Sequence, residues 1–515
     1  MKKFIARIVL MAISMILIVS CVSREKHVVL MFTNDTHSQI LPIKADDKYY
    51  PAMGGVERRK VLIDSLRSEH PAALLVDAGD AVQGTGYFKI FAGEVETFVM
   101  NSLGYDVRTL GNHEFDNGCE ALAATLAAFD GVTVSSNYEH KVPALREQIV
   151  PSYMVETDGV KVGFIGLNVN PDGLFFPSHA QGVVYNDPIA VTDSLSKALR
   201  AEGADVVVVL SHLGFTASAE DYKDVLDSVL VQNTRGIDLV IGAHSHTLLT
   251  EPAYFTDADG LSVPVVQTGN RGAYLGYVDI TLATDRSRNN LVEYRLFPVD
   301  ERYDNRVDAD FATALAQYTH TVDSIMGDVV GVASDTLYRA RPESPFSNWA
   351  CDAFVEVARK RCRDKIDFAV LNMGGIRADI APGEVTLGQI FEAFPFANHM
   401  FIVRLKGSDV RDLFEQIANR GGEGVSRDVC LSIVEGAVEQ VTIAGKPIDD
   451  NRYYNIATLN FLAYGGDGLV AFTRGEVIHE YAGDVYNIFA SYVRNLTAQG
   501  KSMSATTDGR VTIQE

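Results

Sequence analysis

Short apolar runs alternate with helix-like segments from Val28 to about Pro298, and this alternation decides the fold class. The runs are continuous and rich in Val, Ile and Leu, which is typical of strands buried on both faces of a sheet. They include His27–Thr33, Ala72–Asp77, Val132–Ser135, Val160–Gly166, Val206–Ser211, Leu239–Ala243 and Val263–Thr268. The helix-like stretches include Glu57–Glu69, Glu94–Leu103, Cys119–Phe129 and Ile189–Glu202. The pattern predicts an α/β fold in which sheets and helices form layers.

A second α/β block follows a charged connection near residue 300. After the charged stretch Asp300–Arg306, the spacing of apolar residues from Asp308 to about Met326 predicts one helix. Beyond Val329, the sequence predicts further helices and strands over Trp349–Arg361, Phe368–Asn372, Met400–Lys406, Tyr453–Leu459 and Asp484–Leu496. We therefore predict two domains, residues 27–300 and 329–515, joined by a linker helix within residues 301–328.

The first residues have the composition of an export signal. Lys2, Lys3 and Arg7 precede the apolar run Ile8–Val19, which is too short for a transmembrane helix of about 20 residues. The run leads into Ser20-Cys21, which resembles a bacterial lipobox, where the cysteine is acylated. We expect residues 1–20 to be a lipoprotein signal peptide and Cys21 to anchor an exported protein to a bacterial membrane, in the periplasm or at the cell surface. The alternative is an ordinary signal peptide followed by an incidental cysteine.

The charge balance excludes one large class of partners. The chain has 45 Lys plus Arg and 67 Asp plus Glu, a formal net charge of −22 in 515 residues. Binding to a nucleic acid polymer depends on clustered Lys and Arg, so we expect no such partner, and nothing in the sequence indicates a protein partner. The 5 cysteines are too few for a disulfide scaffold. Four of them have no metal-binding spacing: Cys119, Cys351, Cys362 and Cys430.

Metal-ligand residues follow several predicted strands of the first domain. In open α/β sheets, ligands bind beyond the carboxyl ends of the strands, so these residues are expected to meet at one edge. Carboxylate, imidazole and amide oxygen together suit divalent ions such as Zn, Mn, Fe or Co. The residues occur in the motifs Asp35-x-His37, Gly79-Asp80, Gly111-Asn112-His113-Glu114-Phe115-Asp116, Ser211-His212 and His244-x-His246.

The ordered set of motifs resembles the calcineurin-like metallophosphoesterases. The resemblance implies a four-layer α-β-β-α sandwich that binds two divalent ions, Zn, Mn or Co, bridged by Asp80. One ion would be bound by Asp35, His37 and His246, and the other by Asn112, His212 and His244. The resemblance also implies that His113 stabilises the phosphoryl transition state or protonates the leaving group, while Asp116 orients its imidazole.

Two acidic residues beside His113 have alternative interpretations. Asp116 precedes a helix-like segment, so it could be the N-cap of that helix instead of, or as well as, the partner of His113. Glu114 is expected to be a surface carboxylate or one that supports the ligands from behind, and not a ligand itself.

The second domain carries three motifs that suit a nucleotide. In Asn372-Met-Gly-Gly-Ile-Arg377, the glycines allow close backbone approach, and the arginine offers a planar fork for phosphate or carboxylate. Phe394-Pro-Phe396-Ala-Asn398 and Asn460-Phe461-Leu-Ala-Tyr464-Gly-Gly-Asp467 carry aromatic residues. Two aromatics from separate loops can sandwich a flat base, and such stacking contributes about 1–3 kcal/mol per base. We expect Phe394 in the core and Phe461 on a loop.

These three motifs resemble the C-terminal domain of the 5′-nucleotidase family. With the first domain, the resemblance covers nearly the whole chain after the signal. It implies that Phe396 and Phe461 hold the nucleobase and that Asp467 binds ribose hydroxyls. It also implies that Asn372 and Arg377 contact the phosphate or the sugar.

Some positions leave the family assignment open. A further family arginine matches either Arg339 or Arg341. His246 stands where some nucleotidases have Gln or Asn, which blurs the distinction among nucleotidase, cyclic phosphodiesterase and diphosphate-cleaving subgroups. Met373 replaces a glycine of the family motif, and its side chain would either narrow the space near the ligand or point away.

The sequence thus predicts an enzyme that hydrolyses nucleoside 5′-monophosphates to nucleoside and phosphate at a two-metal site. The enzymatic alternatives are a 2′,3′-cyclic-nucleotide 2′-phosphodiesterase with 3′-nucleotidase activity and a UDP-sugar hydrolase. A nucleotide-binding surface lipoprotein without turnover is the alternative from another class. Base preference, native metals and oligomeric state are left open.

Overall fold

The computed structural model describes residues 26–171, 174, 179, 181–215, 225–283, 288 and 290–514. The predicted signal peptide and Cys21 lie outside the described residues. The described chain is an α/β protein, as the alternation of apolar runs and helix-like segments predicts. Within these residues, no helix is both long and apolar enough to cross a membrane.

Strands and helices alternate along the N-terminal domain. The strands are β1 (His27–Thr33), β2 (Leu74–Asp77), β3 (Val107–Arg108), β4 (Val132–Val134), β5 (Tyr138–His140), β6 (Ile149–Val150), β7 (Tyr153–Thr157), β8 (Val160–Asn168), β9 (Val183–Tyr185), β10 (Val206–His212), β11 (Leu239–Gly242), β12 (Ala253–Thr256), β13 (Ser262–Val266), β14 (Tyr274–Thr281) and β15 (Leu291–Pro298). The helices are α1 (Val56–Glu69), α2 (Gly86–Phe91), α3 (Glu94–Leu103), α4 (Gly118–Ala127), α5 (Pro143–Arg146), α6 (Pro188–Ala201) and α7 (Asp227–Asn233).

These strands form two large mixed sheets. The first has the order β15-β14-β1-β2-β3-β4-β6, and the second has the order β12-β13-β11-β10-β8-β7. Strands β5 and β9 form a small separate sheet. Since β1 is parallel to β2, and β10 is parallel to both β8 and β11, the carboxyl ends of these strands lie at one edge of each sheet.

Alternate apolar side chains of each strand enter different parts of the core. Phe32 of the first sheet and Val208 of the second belong to one cluster between the sheets. The neighbouring Val207 packs outward with Leu199 of α6, and Met31 packs outward on the side of α1 and α3. The layers therefore run α-β-β-α, as the family resemblance implies.

A linker of two helices follows β15. A short 3-10 helix spans Glu301–Arg306, and α8 spans Ala309–Met326. The side chain of Asp308 caps α8 by accepting hydrogen bonds from the backbone N–H groups of its first turn. The linker packs on the N-terminal domain through Phe311, whose ring stacks on Phe98 with centroids 5.8 Å apart.

The C-terminal domain follows the linker. Its strands are β16 (Val329–Ala333), β17 (Phe368–Leu371), β18 (Gly383–Thr386), β19 (His399–Lys406), β20 (Gly424–Val425), β21 (Val429–Val434), β22 (Ala437–Ile443), β23 (Lys446–Pro447), β24 (Tyr453–Leu459), β25 (Glu476–Asp484) and β26 (Val511–Gln514). Its helices are α9 (Pro345–Arg361), α10 (Leu387–Ala393), α11 (Gly407–Asn419), α12 (Asn460–Ala463) and α13 (Val485–Ala498).

A five-stranded sheet organises this second domain. Its order is β20-β17-β24-β19-β25, with β25 at one edge. A four-stranded sheet has the order β23-β22-β21-β26, and β16 pairs with β18. Helix α9 begins at Pro345, before the predicted start at Trp349, because Ser344 caps it and a proline occupies its first turn.

Candidate active site

The edge formed by the carboxyl ends of the N-terminal strands holds all the predicted metal ligands. The structure brings them into two groups, and within each group the potential ligand atoms lie within 4.8 Å of one another. The groups are Asp35, His37 and His246, and Asp80, His212 and His244. Asn112 lies beside the second group, with Oδ1 at 3.0 Å from Nδ1 of His244.

The electron-pair donors in these groups converge in a way that suits a metal. Nε2 of His37 lies 2.9 Å from Nε2 of His246, so the two imidazole nitrogens point at the same small space. Nε2 of His212 is buried without a hydrogen-bond partner, although Oδ2 of Asp80 lies 3.2 Å away. Imidazole and carboxylate donors aimed at a common point fit the borderline divalent ions that the sequence predicts.

The backbone at these ligands is strained. Asp35, His37, Asp80, His244 and His246 have positive φ angles of 47°, 48°, 55°, 69° and 55°. Non-glycine residues rarely adopt this conformation, and each instance costs about 1–3 kcal/mol, so such strain collects where function requires a fixed geometry. The left-handed turns aim side chains from separate loops at the same space.

Two glycines allow the ligand loops to touch. A Cβ atom on Gly111 would collide with Oδ1 of Asp80, and one on Gly79 would lie 2.5 Å from the backbone nitrogen of Gly111. The loops after β2 and β3 are therefore in direct backbone contact. Any side chain at Gly111 would displace Asp80.

Glu114 organises both loops, which specifies the supporting role that the sequence analysis gave as one of two alternatives. Its carboxylate accepts hydrogen bonds from the backbone N–H groups of Asp80 at 3.0 Å, Ala81 at 3.0 Å and Gly111 at 2.6 Å. It also accepts one from Nη2 of Arg108 at 2.9 Å, and both side chains are 1% exposed. The expectation of a supporting carboxylate agrees with this position, whereas a surface position is wrong.

His113 and Asp116 form a hydrogen-bonded pair next to the metal groups. Nδ1 of His113 lies 2.9 Å from Oδ2 of Asp116. The N-cap of α4 is Asn117 and not Asp116, so the alternative assignment of Asp116 as a helix cap is wrong. Burial opposes protonation of His113, but the carboxylates of Asp116 and Asp80 outweigh it and raise the pKa of the imidazole to about 9.

Burial and neighbouring charges also shift the pKa values of three other predicted ligands, His37, His244 and Asp80. Burial lowers the pKa of His37 and of His244 to about 3, which leaves these imidazoles in the neutral form that binds metals. Burial also opposes ionisation of Asp80, yet the neighbouring His212 and His113 hold its pKa well below the usual value.

The predicted substrate residues come from several segments of the second domain: Asn372 and Arg377 follow β17, Phe461 and Asp467 follow β24, Phe396 lies between α10 and β19, and Arg339 and Arg341 lie between β16 and α9. Nδ2 of Asn372 donates to Oδ2 of Asp467 at 2.7 Å, while Oδ1 of Asn372 is buried without a partner. The guanidinium of Arg377 lies 5.7 Å from the centre of the Phe396 ring. A small cavity beside these residues is lined by Leu371, Asn372, Gly375, Ile376, Phe394, Phe396, Asn398, Leu459 and Val485.

Phe396 connects the two half-sites. Its ring stacks on His113 of the N-terminal domain, with centroids 6.0 Å apart and an interplanar angle of 25°. The residue predicted to hold a nucleobase is therefore in contact with the residue predicted to act on the phosphate. The domains approach each other at this point.

Two family profiles match the chain. The calcineurin-like phosphoesterase profile matches residues 28–248, and the profile of the 5′-nucleotidase C-terminal domain matches residues 329–474.

The chain belongs to the 5′-nucleotidase family.

Curated and solved relatives agree with this membership. The trifunctional nucleotide phosphoesterase protein YfkN of Bacillus subtilis (strain 168) is 27% identical over 94% of this chain, which spans only 34% of that protein. The 5′-nucleotidase of Rattus norvegicus is 26% identical, with 98% of this chain and 93% of that protein aligned. The structure of a 5′-nucleotidase precursor from Thermus thermophilus has a TM-score of 0.82 and 27% identity, covering 95% of this chain and 100% of that one. The protein is therefore a phosphoester hydrolase with a metallophosphoesterase domain.

The nucleotidase domain places the two candidate arginines differently. Arg341 donates to the backbone oxygens of Arg420 and Gly422 and to Oε1 of Glu423, so it joins a fixed network. Arg339 donates to the backbone oxygen of Ile376 at 3.1 Å, next to Arg377 in the sequence. Arg339 is thus the arginine nearer to the predicted phosphate-binding side chain.

Two further polar residues support the nucleotidase motif and were missed by the sequence analysis. Glu423 is fully buried and accepts a hydrogen bond from the backbone N–H of Met373 at 2.5 Å. Nη2 of Arg420 lies 3.5 Å from Oδ2 of Asp467, and Nε donates to Glu423. Met373 itself is buried. No motif marks Arg420 or Glu423, because both lie far along the chain from the residues they contact.

Phe461 differs from its expected position on a loop. It belongs to the one-turn helix α12 and packs against Gly466, where an added Cβ would lie 2.6 Å from the ring. The ring is partly buried against the core of the domain. Phe394 is buried against Phe346 and Phe489, as predicted.

Proposed function

We propose that the protein hydrolyses nucleoside 5′-monophosphates to nucleoside and inorganic phosphate. The observation that carries the proposal is the contact between Phe396 and His113, since it joins the side chain predicted to stack on a base to the pair predicted to be catalytic. A nucleotide bound across this contact would have its phosphate beside the metal ligands and its base on the second domain. The predicted sugar contact, Asp467, lies beside Asn372 on the same side.

The predicted ligands would hold two divalent ions, Zn, Mn or Co. Bound ions of this kind lower the pKa of water and neutralise phosphoryl oxygens. The chain supplies the rest: because Asp116 holds Nδ1 of His113, Nε2 is the atom that can donate a proton or hydrogen bond to the leaving oxygen. The guanidinium of Arg377 offers two parallel N–H donors to the phosphate or sugar.

The test is phosphate release from AMP, GMP, UMP and CMP by the purified protein with Mn, Zn or Co. We expect turnover that stops on addition of a chelator and returns when metal is restored. His113→Ala is expected to lower turnover by about 10²–10⁴-fold, the usual contribution of an acid–base group, while metal content stays unchanged. A protein that binds AMP and metal but releases no phosphate under any of these conditions would contradict the proposal.

A broader specificity is the second candidate function. The relative from Bacillus subtilis is named as a trifunctional nucleotide phosphoesterase, which favours activity on more than one nucleotide ester. The same panel extended to 2′,3′-cyclic AMP and UDP-glucose separates the candidates by their relative kcat/KM. Turnover of the cyclic ester above that of AMP would favour the phosphodiesterase, and turnover of UDP-glucose would favour the sugar-nucleotide hydrolase.

We also propose that the protein is exported and lipid-anchored at Cys21. Support comes from the basic start, the apolar run and the Ser20-Cys21 junction of the sequence. In a bacterial host, labelled palmitate should enter the wild-type protein and Cys430→Ser, but not Cys21→Ser. The proposed anchor would be contradicted if Cys21→Ser were labelled as strongly as the wild type, or if none of the three proteins were labelled.

A further inference from the structure

A third group of metal-ligand side chains lies in the C-terminal domain, outside the predicted active site. It consists of Cys362, Asp364 and His479, whose potential ligand atoms all lie within 4.8 Å of one another. Cys362 is the C-cap of α9, and Asp364 follows two residues later. His479 lies on β25, the edge strand of the five-stranded sheet. The sequence analysis gave Cys362 no metal role, because the cysteines have no metal-binding spacing and His479 lies more than a hundred residues further along the chain.

The distances within this group are close to those of a tetrahedral zinc site. Nε2 of His479 lies 2.8 Å from Oδ2 of Asp364, and Sγ of Cys362 lies 4.0 Å from the same oxygen. With usual Zn–S, Zn–N and Zn–O bond lengths, tetrahedral geometry would set these separations at about 3.4 Å and about 3.6 Å. Shifts of about half an ångström on each side would therefore accommodate an ion.

The three potential ligand atoms pair with one another, and the side chain of Tyr481 also hydrogen-bonds with the thiol of Cys362, so an ion would take the place of these contacts. Arg404 has Nη2 at 3.9 Å from Oδ1 of Asp364, the carboxylate oxygen that does not face the cysteine and the histidine. The ring of Tyr481 stacks on His479 at 6.1 Å and fixes one face of the imidazole. Cys362 is a buried free thiol, and His479 and Asp364 have side chains 38% and 44% exposed. An ion entering from solvent can thus reach all three.

We propose that Cys362, Asp364 and His479 bind one zinc-like divalent ion, with solvent completing its coordination. Thiolate, imidazole and carboxylate together are a donor set that suits zinc, whereas Mg or Ca would prefer oxygen alone. The ion would tie the edge strand β25 to the end of α9. Since β25 leads directly into Val485, which lines the cavity of the second domain, the ion would fix one wall of the predicted nucleoside site.

Cobalt provides a test that the active-site metals cannot mimic. The predicted active-site ligands are carboxylate, imidazole and amide, so none of them supplies sulfur. Metal-free protein titrated with Co²⁺ should develop a thiolate-to-cobalt charge-transfer band whose final intensity corresponds to one thiolate-bound ion per chain, whatever Co²⁺ the active site also takes up. The band should disappear in Cys362→Ser and remain at full strength in Cys430→Ser, which removes the exposed free cysteine.

A second variant keeps the test decisive if Cys362→Ser does not fold. His479→Ala changes a half-exposed side chain on an edge strand, and it should weaken Co²⁺ binding at this group by at least about tenfold. At saturating Mn²⁺ and AMP, kcat for phosphate release by both variants should stay close to the wild-type value, since the group is outside the metal edge of the first domain, whereas a loosened cavity wall would alter only KM. Absence of a sulfur band in the wild-type protein, or a band that survives both substitutions, would overturn the proposal.

Discussion

The two half-sites of the molecule are built in opposite ways. On the N-terminal side, Asp35, Asp80 and His212 are 0%, 2% and 0% exposed, and strained backbone and buried hydrogen bonds hold the ligands. On the C-terminal side, Phe396 and Asp467 are half-buried, Arg377 is exposed, and glycine-containing loops carry them. One half-site is rigid and desolvated, while the other is open and more weakly held.

This contrast matches the separate demands on each half. Metal ligands need fixed positions and defined protonation states, since a misplacement of about 1 Å in an active site can cost 10²-fold in rate. A base and a ribose are held by stacking and a few hydrogen bonds, which tolerate adjustment. Changes in the first half-site should therefore alter metal content and kcat, whereas changes in the second should alter KM and substrate choice.

Asp80→Asn should have the largest effect. Asp80 lies in the second metal group and also accepts the backbone N–H of His113 at 2.9 Å, so its charge serves both metal binding and the catalytic loop. Loss of the carboxylate predicted to bridge the two ions should lower kcat by about 10³-fold or more, since metal contacts supply several kcal/mol to the transition state. Metal content measured by atomic emission should fall in parallel. Asp46→Asn, at an exposed position, is the matched control and should behave as wild type.

Glu114→Gln should come next, although Glu114 is not a predicted ligand. An amide cannot accept on both sides, so a glutamine would turn its NH2 group towards N–H donors of the Asp80 and Gly111 loops. It would also leave Arg108 as an unpaired buried charge, at about 3–5 kcal/mol. We expect kcat to fall by about 10²-fold with the loops displaced, and urea unfolding to show the lower stability.

A control variant separates loss of the Glu114 hydrogen-bond network from loss of one negative charge. Glu120→Gln removes an exposed carboxylate from α4 and should change neither kcat nor stability. If Glu114→Gln kept wild-type kcat and stability, the description of the first half-site as rigid would be wrong.

The residues that the sequence assigned to the first half-site converge in the structure because they immediately follow strands. Apolar runs identify the strands, parallel strands align their carboxyl ends, and Asp35, Asp80 and His212 stand at those ends. The role of Glu114 was not predictable in this way. Its partners Asp80 and Ala81 reach it only because the glycines bring two loops into backbone contact, which no local pattern encodes.

The second half-site was predicted in less detail for a related reason. The motifs containing Asn372 and Asp467 are local, but the network that supports them includes Arg420 and Glu423 on another segment. Such contacts depend on the order of strands in the five-stranded sheet, which periodicity does not reveal. The helix that contains Phe461 was missed because it is only 4 residues long.

Phe396→Ala should raise KM for AMP by about 5- to 150-fold, the equivalent of about 1–3 kcal/mol of lost base stacking. The Phe396 ring also stacks on His113, so the alternative outcome is a change in kcat. Ribose 5-phosphate, which has no base, separates the two. We expect the variant and wild type to hydrolyse ribose 5-phosphate with similar kinetic constants, measured by phosphate release. An equal loss on both substrates would mean that Phe396 supports His113 and not the base.

Asp467→Asn should have the smallest effect and the most specific one. The residue has a φ of 53°, and asparagine tolerates this left-handed conformation, so the backbone should keep its shape. Asparagine also keeps an oxygen for the N–H of Asn372, while the negative charge is lost. A hydrogen bond to a charged group contributes about 1.5–3 kcal/mol and a neutral one about 0.5–1.5 kcal/mol, so KM for AMP should rise by about tenfold with kcat unchanged.

Substrates that lack a ribose hydroxyl identify what Asp467 recognises. If its carboxylate accepts from the 2′-hydroxyl, the wild-type enzyme should prefer AMP over 2′-deoxy-AMP, and Asp467→Asn should reduce that preference. If it accepts from the 3′-hydroxyl, the preference for AMP over 3′-deoxy-AMP should shrink instead. A fall in kcat without either change in preference would place Asp467 with the rigid half-site, through its contacts to Asn372 and Arg420, and would remove the distinction between the two halves at this position.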